Sequence, residues 1–564
     1  MTMQARNAMS LVQGPSVPGA PLEPVLDVHE IQGNSLVGFN KDHQSFLFFQ
    51  ITNVPIAKRW IRVLTPRIAI VSETLMFRRL YRFMRDRRGE EARGLVGTLI
   101  NIAFTRSGLE KLTSRDEVEK FRSDAFKLGM AARAGFLGDD LDAGTEPVGW
   151  VLGSHEKVPD LMLIVASDSR GILAKALNGL KEEIRALQGG ACDEPNNRGL
   201  FLFYEQEGEA LLAPLAGHEH FGFKDGVSQP GIRGRVSADA LDFLTPRSID
   251  PRDQLALTHA RPGQPLIWPG QFVLGEKYPV QNSNNRLEPQ ANVPPSPAWA
   301  ANGSFVVFRR LRQDVSAFWR FMKIQSQVLT QKYPGLQDLT PTRLASIFVG
   351  RWPSGAPIMR TPMADNVDLA AHEFGVNDFQ FTHASKQVPL LPGASDTPDT
   401  FPLAPADDVG LRCPFASHIR KVNPRDDTTD LGGPERSLLK RVLRRGIPFG
   451  SPLLDPLNTP VDEQERGLLF VAYQASIDNQ FEFLMTDWAN STDNPRSYFG
   501  GIGGGHDPII GQQQPGAEQL FRLPVDGQSL ETITLPKGRF VTSTGGDYFF
   551  APSITALQDV LGRT

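Results

Sequence analysis

Short apolar runs alternate with amphipathic stretches along most of the chain. Ser45–Ile51 (SFLFFQI), Thr98–Phe104 (TLINIAF) and Asp160–Ala166 (DLMLIVA) are almost continuously apolar and too short for buried helices, which predicts buried strands. Phe201–Glu205 (FLFYE) predicts a fourth. After the second run, Ser107 and Gly108 lead into a helical pattern through Leu109 and Leu112. After the third, Ser167 and Asp168 can cap an amphipathic helix from about Ser169 to Leu187. The scheme then restarts. Ser304–Leu311 (SFVVFRRL) predicts a strand, and Asp314 opens a helix carrying Val315, Phe318, Trp319 and Phe321. Gly467–Tyr473 (GLLFVAY) followed by Ser476–Trp488 repeats the pair. No fixed-period repeat suggests a solenoid. Two sets of sheet-plus-helix units predict an α+β protein built from two similar halves.

Proline and glycine divide this pattern. Residues 1–24 hold Gly14, Pro15, Pro18, Gly19, Pro21 and Pro24 and predict a poorly ordered arm, with ordered structure beginning near Ile31. Residues 237–302 carry Pro262, Pro265, Pro269, Pro279, Pro289, Pro294, Pro295 and Pro297, which predicts long loop or insertion rather than core. A second Pro-rich loop spans about Pro389–Pro405. The divisions are thus an arm (1–24), a first half (25–236), an insertion (237–302) and a second half (303–564). The 564 residues suit about four average domains or two large ones.

Composition narrows the function. A net charge of -4 argues against nucleic acid or an anionic membrane as partner, since both need a concentrated basic face. Two cysteines, Cys192 and Cys413, permit at most one disulfide. The longest apolar stretches, such as Leu161–Ala166, fall far short of the ~20 residues of a membrane span. The first 20 residues have only Arg6 as a positive charge and no apolar h-region, so a cytoplasmic location is expected. Phe occurs 35 times against 7 each for Trp and Tyr. A strongly oxidising centre would tolerate that mix, although compositional drift explains it more plainly.

Four stretches carry candidate chemistry. In Gly217–Gly234, GHEHFGFKDGVSQPGIRG, five glycines let the backbone lie close to a flat ligand, and Asp225 on a turn could point into a cavity or simply serve the turn. His218 and His220 form an H-x-H pair that could bind a metal, though no third ligand stands at recognisable spacing. In Cys413–Arg425, CPFASHIRKVNPR, His418 lies beside Arg420, Lys421 and Arg425. An imidazole can ligate iron and guanidinium groups can pair with haem carboxylates, while the plainer reading is a histidine on a basic surface. Cys413 offers a thiolate ligand instead, without the glycine-rich loop such a ligand needs. Leu438–Gly450, LLKRVLRRGIPFG, reads as a helix with a cationic last turn ended by Gly446 and Pro448, or as a pocket-directed arginine. Gly500–Gly511, GGIGGGHDPIIG, is a loop holding His506 and Asp507.

Together these segments resemble the dye-decolourising peroxidase family of haem peroxidases, and in particular its larger, more elaborated members. GFKDG (Gly222–Gly226) matches the family's G-x-x-D-G motif, and CPFASHIRKVNPR, RRGIPFG and GLLFVAYQ follow in the family's order. IQGNSLVGFNK (Ile31–Lys41), NGSFVVFRRL (Asn302–Leu311) and GRWPSGAP (Gly350–Pro357) are similar to family segments as well. The resemblance runs from about residue 30 to 510.

The resemblance implies two ferredoxin-like halves, each an antiparallel β-sheet with peripheral helices, in the dimeric α+β barrel type. It implies one haem b per chain, held mainly by the second half, with His418 as proximal iron ligand and Asp225 as distal acid/base. Arg444 matches the distal arginine, chosen over Arg445 by counting back from Pro448. Leu468 and Phe470 match apolar residues of the distal pocket, Asp507 the carboxylate behind the proximal imidazole, and Arg425 a contact to a haem propionate. The partners implied are hydrogen peroxide and an organic electron donor such as a dye or phenolic; the oligomeric state is left open, a homo-oligomer included. Bulky donors would pass electrons through surface Trp or Tyr, for which Trp319, Trp352, Tyr473, Trp488 and Tyr498 are candidates. The competing readings are haem handling or iron release on the same fold, a non-haem metal enzyme using His218, His220 and Asp225, and a binding module using the loop at 237–302.

Overall fold

The apolar runs pair as strands, and the pairing repeats between the halves. The computed structural model describes residues 23–88, 96–193, 199–281, 287–289, 294–392, 401–459, 462–512, 517–526, 529–536 and 538–564. The first half contributes β1 (His43–Ile51), β2 (Thr98–Phe104), β3 (Leu161–Ser167) and β4 (Leu200–Glu209). The second contributes β5 (Ser304–Gln313), β6 (Leu443–Arg444), β7 (Ile447–Phe449), β8 (Gly467–Gln474) and β9 (Val541–Ala551). Hydrogen-bonded neighbours run β6-β8-β5-β9-β2-β3-β1-β4, with β7 also on β8. Every pairing is antiparallel. Each half therefore has the order second, third, first, fourth, which is the ferredoxin-like arrangement. Phe104 and Phe550 form the pair that joins them.

The sheet curls until its ends meet. Gly208 of β4 lies against β7, where a methyl group would sit 2.4 Å from Ile447 Cγ2, so the missing side chain permits the approach. The concave face buries Phe46, Phe48, Val306, Phe308, Leu469, Val471 and Phe549 in one cluster. Phe48 and Phe308 meet edge to face at 5.0 Å, and each ring contributes about 1.5–3 kcal/mol by leaving water.

The convex face of the first half is closed by helices. α1 (Val54–Leu64) starts with Asn53 accepting from Ile56 N and Pro55 in the first turn. α2 (Arg170–Gln188) ends on Gly189 at φ 75. Its N-cap residue is Ser169, and the expected capping residue Asp168 instead pairs with Lys41. Trp60, Ile61 and Leu64 of α1 and Leu173, Leu177, Leu180 and Ile184 of α2 pack on Leu47, Phe49, Ile102 and Leu163.

The second half is covered differently. α3 (Val315–Lys332), capped by Asp314 accepting from Ala317 N, buries Phe318, Trp319 and Met322 in a separate cluster with Phe221, Phe348 and Phe540. After β8 the chain winds as π-helix through Ile477–Glu482 and Leu484–Ala489. Between these elements the convex face opens onto a cavity.

Several expectations differ from what the chain does. Most of the predicted arm lies outside the described residues, but Glu23 is packed between Arg233 and Arg247, and Val25 bridges Arg235. Order thus begins before Ile31. The described part of 237–302 is more than loop: Leu244, Ile267, Phe272 and Val273 join the concave core. The centre of the 389–405 loop lies outside the described residues. Leu438–Gly450 is not a helix. After one 3-10 turn it forms β6 and β7, because the second face of the segment (Leu443, Ile447, Phe449) is buried in strand alternation. Among the described residues no helix is long and apolar enough to cross a membrane.

Candidate active site

Three strands build the floor of the cavity by simple alternation. Arg309, Leu311 and Gln313 of β5, Leu468 and Phe470 of β8, and Val541 and Ser543 of β9 all face it. β9 carries a bulge opposite Arg309–Leu311, with Gly545 at φ 154, so that Ser543 and Tyr548 share the convex face despite their odd and even numbers.

One wall is His418, the first residue of the short helix α4 (His418–Val422). Its Nδ1 lies 2.8 Å from Asp507 Oδ2. The fully buried carboxylate is fixed from its other oxygen by Ile509 N (2.9 Å) and Ile510 N (3.0 Å). Burial raises the Asp507 carboxyl, but the His418 charge, its hydrogen bond and the two amides outweigh it and hold the group below its ordinary value. Burial likewise lowers the His418 imidazole, and Asp507 more than reverses the effect. Because a carboxylate only accepts, Nδ1 carries the proton, so Nε2 is the nitrogen that presents a lone pair to the cavity when the imidazole is neutral.

Asp225 lies on the wall of the same cavity. Gly226 (φ 71) turns the chain so that its amide donates to Asp225 Oδ1 at 2.6 Å. Arg444 Nη1 donates to the same oxygen at 2.9 Å, and Nη2 donates to Ser228 O. Each side chain keeps about a third of its surface, 36% and 35%, on the cavity side. Burial raises the Asp225 carboxyl, yet Arg444 and the Gly226 amide dominate and keep it below the ordinary value, with His418 acting in the same sense. Asp225 and His418 are thus close enough for their charges to act on each other. Arg445, the neighbouring candidate, spends its guanidinium on Asn34 O, Leu36 O and Arg444 O.

The cavity therefore gathers Asp225, Arg444, His418, Leu468 and Phe470, with Asp507 directly behind His418. Arg425 does not join them. It donates to Asn377 O, Phe379 O and Asn377 Oδ1 and lies over the Phe379 ring, so it holds a loop. Arg441, one of the excess cations of LLKRVLRRGIPFG to which the sequence assigned no role of its own, is a buried cavity-lining guanidinium with no carboxylate partner among the described residues. Sequence reasoning missed Arg309, Gln313 and Ser543, whose alternation on β5 and β9 was the available signal. Arg309 Nε, Gln313 Oε1, Ser543 Oγ and Arg441 Nε are buried without a hydrogen-bond partner. A cavity with an imidazole lone pair, an unpaired guanidinium and orphaned polar atoms fits a flat ligand that bears a metal and acidic substituents.

The remaining candidates fall elsewhere. Cys413 is buried outside the cavity, so it is not placed to offer a thiolate to a ligand there. His220 Nε2 bonds Phe449 O, and His218 Nδ1 bonds Ala216 O. Among the described residues no group of three His, Cys, Asp or Glu side chains is placed to hold a metal ion. Trp319, Trp352, Tyr473, Trp488 and Tyr498 are all buried, each with its polar atom hydrogen-bonded inside, so none of the five offers a surface for donors.

Comparison with known proteins agrees with this geometry. Residues 30–189 match the DyP dimeric alpha+beta barrel domain, and residues 393–506 match the Dyp-type peroxidase C-terminal family. A dye-decolorizing peroxidase of Mycetinis scorodonius is 30% identical over 95% of this chain and 88% of its own length. Another, from Exidia glandulosa, is 32% identical over 97% and 90%. The solved structure of an ancestral D-type dye decolorizing peroxidase has a TM-score of 0.72 at 31% identity, covering 95% of this chain and 99% of that one. The repeated ferredoxin-like order, the carboxylate and imidazole lining one cavity, and this similarity over nearly the whole length place the chain in the dye-decolorizing peroxidase family, as a peroxidase.

Proposed function

We propose that the chain is a haem peroxidase in which His418 holds the iron and Asp225 moves the proton during reduction of hydrogen peroxide. The observation that carries this is that the Asp225–Arg444 pair and the His418–Asp507 pair meet at one cavity. Haem, when bound, supplies the iron that exchanges electrons between peroxide and an organic donor. His418 Nε2 would ligate it, and Arg441 would meet one of its carboxylates. Asp507 holds the imidazole in one tautomer and one orientation and makes it more electron-rich.

Asp225 carries the acid–base work. Peroxide must lose a proton from one oxygen and gain one at the other, and a carboxylate near both can transfer it. The depressed carboxyl keeps Asp225 ionised, and therefore able to accept that proton, well into acidic solution. Arg444 is permanently charged and cannot take the proton; its fixed cation stabilises negative charge on the departing oxygen. Leu468 and Phe470 keep the site narrow and apolar, and Arg425 stays outside it as a loop brace. Donors are oxidised by single electrons. A relative that has been solved in complex with 2,6-dimethoxyphenol makes that phenol a suitable probe.

Ultraviolet–visible absorption of the purified protein tests the reading. A Soret band that responds to peroxide is expected, with loss of the band in His418→Ala. Absence of a band after haem reconstitution of the wild type would overturn it. A band together with undiminished turnover in Asp225→Ala would move the assignment to haem handling.

A further inference from the structure

Behind the Asp225–Arg444 pair lies a second cavity of about 630 Å³, which shares Asp225, Arg444 and Leu468 with the first. Its outer end carries the exposed Arg82, and its inner end is the distal pair. The volume is in the range of small-molecule pockets, roughly 300–1,000 Å³. Part of the wall is apolar, with Leu36, Leu75, Ile232 and Leu244.

The rest of the wall has more positive charge than it neutralises. Lys41 and Arg79 are bound to Asp168 and Asp242, and Asp42 lies beside Lys41. Glu219, at the inner end, is held by the amides of Phe221 and Phe223 and by Gln313. Arg261 reaches the exposed Glu373 at 3.4 Å, and its Nε is buried without a partner. Arg78 donates to Val37 O, and no carboxylate pairs with Arg78, Arg82 or Arg445 among the described residues. Burial lowers Arg78 and Arg261, and the charge of Arg82 lowers both further; Arg445 is lowered by burial and then by Arg78 and Arg444. The guanidinium groups thus form a mutually repelling series from solvent to Arg444. Peroxide is small and neutral and has no use for such a series, whereas a planar anion meets guanidinium groups through paired hydrogen bonds.

We propose that this outer cavity binds a small organic anion, an apolar body with a carboxylate or sulfonate, through Arg78, Arg82 and Arg261, and that it selects the electron donor on that basis. The donor part rests on the peroxidase reading above; the binding part does not. The overall chemistry balances: two donors each lose one electron, and those electrons with two protons convert one hydrogen peroxide to two waters.

The test uses the holoenzyme and a matched pair of donors, 4-hydroxybenzenesulfonate and phenol, with redox-inert benzenesulfonate as a binding probe in calorimetry. Arg82→Ala and, separately, Arg261→Gln are expected to weaken benzenesulfonate binding by about ten-fold, the factor that one charge-assisted hydrogen bond carries. They should raise KM for 4-hydroxybenzenesulfonate similarly, with kcat and the phenol KM unchanged. Benzenesulfonate binding that is absent, or is insensitive to both substitutions, overturns the site. Sensitive binding with both donors affected alike overturns its role in donor selection. Sensitive binding without turnover of either donor leaves the anion site standing and removes the peroxidase reading instead.

Discussion

On the convex face of the first half, β1 presents Leu47, Phe49 and Ile51 to Trp60 and Leu64 of α1, a contact that is apolar apart from the unpartnered Trp60 Nε1. On the same face of the second half, β5 begins alike, with Phe305 and Val307 in that core, and then continues as Arg309, Leu311 and Gln313. Strand order is identical in the two halves. The difference lies in three alternating positions, a bulge on β9, and helices that cover the face instead of filling it. Each polar atom left buried without a partner costs roughly 1–3 kcal/mol. The first half fills this face with apolar side chains; the second lines it with polar groups that a bound ligand could engage.

The largest break in this comparison is chemical. Asp225→Asn keeps the size of the side chain and removes the proton acceptor, so peroxide turnover should fall by about 10²–10⁴. Asp160 is the control in the filled half, a buried carboxylate that accepts from Ile51 N and pairs with Lys111. Asp160→Asn should lower the unfolding temperature and leave kcat within a factor of about two. Comparable kcat losses in both variants would mean that fold integrity, not proton transfer, limits the rate.

A stability contrast comes next. Trp60 is fully buried against the first half-sheet, and Trp60→Ala should cost about 3–5 kcal/mol. Leu468, on the second half-sheet, is half-buried and borders the cavity, so Leu468→Ala should cost less than about 1 kcal/mol. Thermal unfolding of the two variants side by side checks this, and equal losses would show that the cavity is packed. Smaller again is Asp507→Asn, which keeps a polar group behind His418 but loses the negative charge. Iron affinity or turnover should fall by about 10–100-fold, read by haem titration and steady-state kinetics. An unchanged titration would show that the imidazole needs no orienting charge.

The filled half was legible in sequence, and the cavity half was legible only through its chemistry. Runs such as DLMLIVA have one interpretation, because every residue from Leu161 to Ser167 is buried. Asp225 and Arg444 are 219 residues apart and no local pattern links them; motif order did. Arg309 was visible as a charge inside SFVVFRRL, and separating that strand into its two faces would have put it with Gln313. The stretch LLKRVLRRGIPFG misled because two- and three-residue strands are shorter than any period can resolve. Its arginines also have three different fates: Arg441 faces the cavity, Arg444 binds Asp225, and Arg445 binds carbonyls. Arg425 misled because its charge density suggested a ligand, whereas the carbonyls of Asn377 and Phe379 use it.

The finest test separates the two carboxylates at the cavity, Asp225 and Asp507, by pH. Asp225 is held below its ordinary value, so if it is the base, the form that accepts a proton is present above that depressed pKa, and activity should be lost as pH falls through it. Burial opposes this depression and Arg444 is the leading cause of it. In Arg444→Leu burial is less opposed, the Asp225 carboxyl rises, and the acid limb of the kcat profile moves to higher pH. Arg444→Lys restores charge but not the bond that Nη2 makes to Ser228 O, so its limb should fall between the other two while kcat stays low. Asp507 is depressed as well, chiefly by His418 against the effect of burial, and it lies behind His418 rather than on the cavity lining. Asp507→Asn should therefore reduce activity without moving the acid limb. Limb positions in the order wild type, Lys, Leu, with the Asp507 variant at the wild-type position, assign the titration to Asp225. A limb that moves in Asp507→Asn and stays fixed in both Arg444 variants would assign it to the His418 side of the cavity.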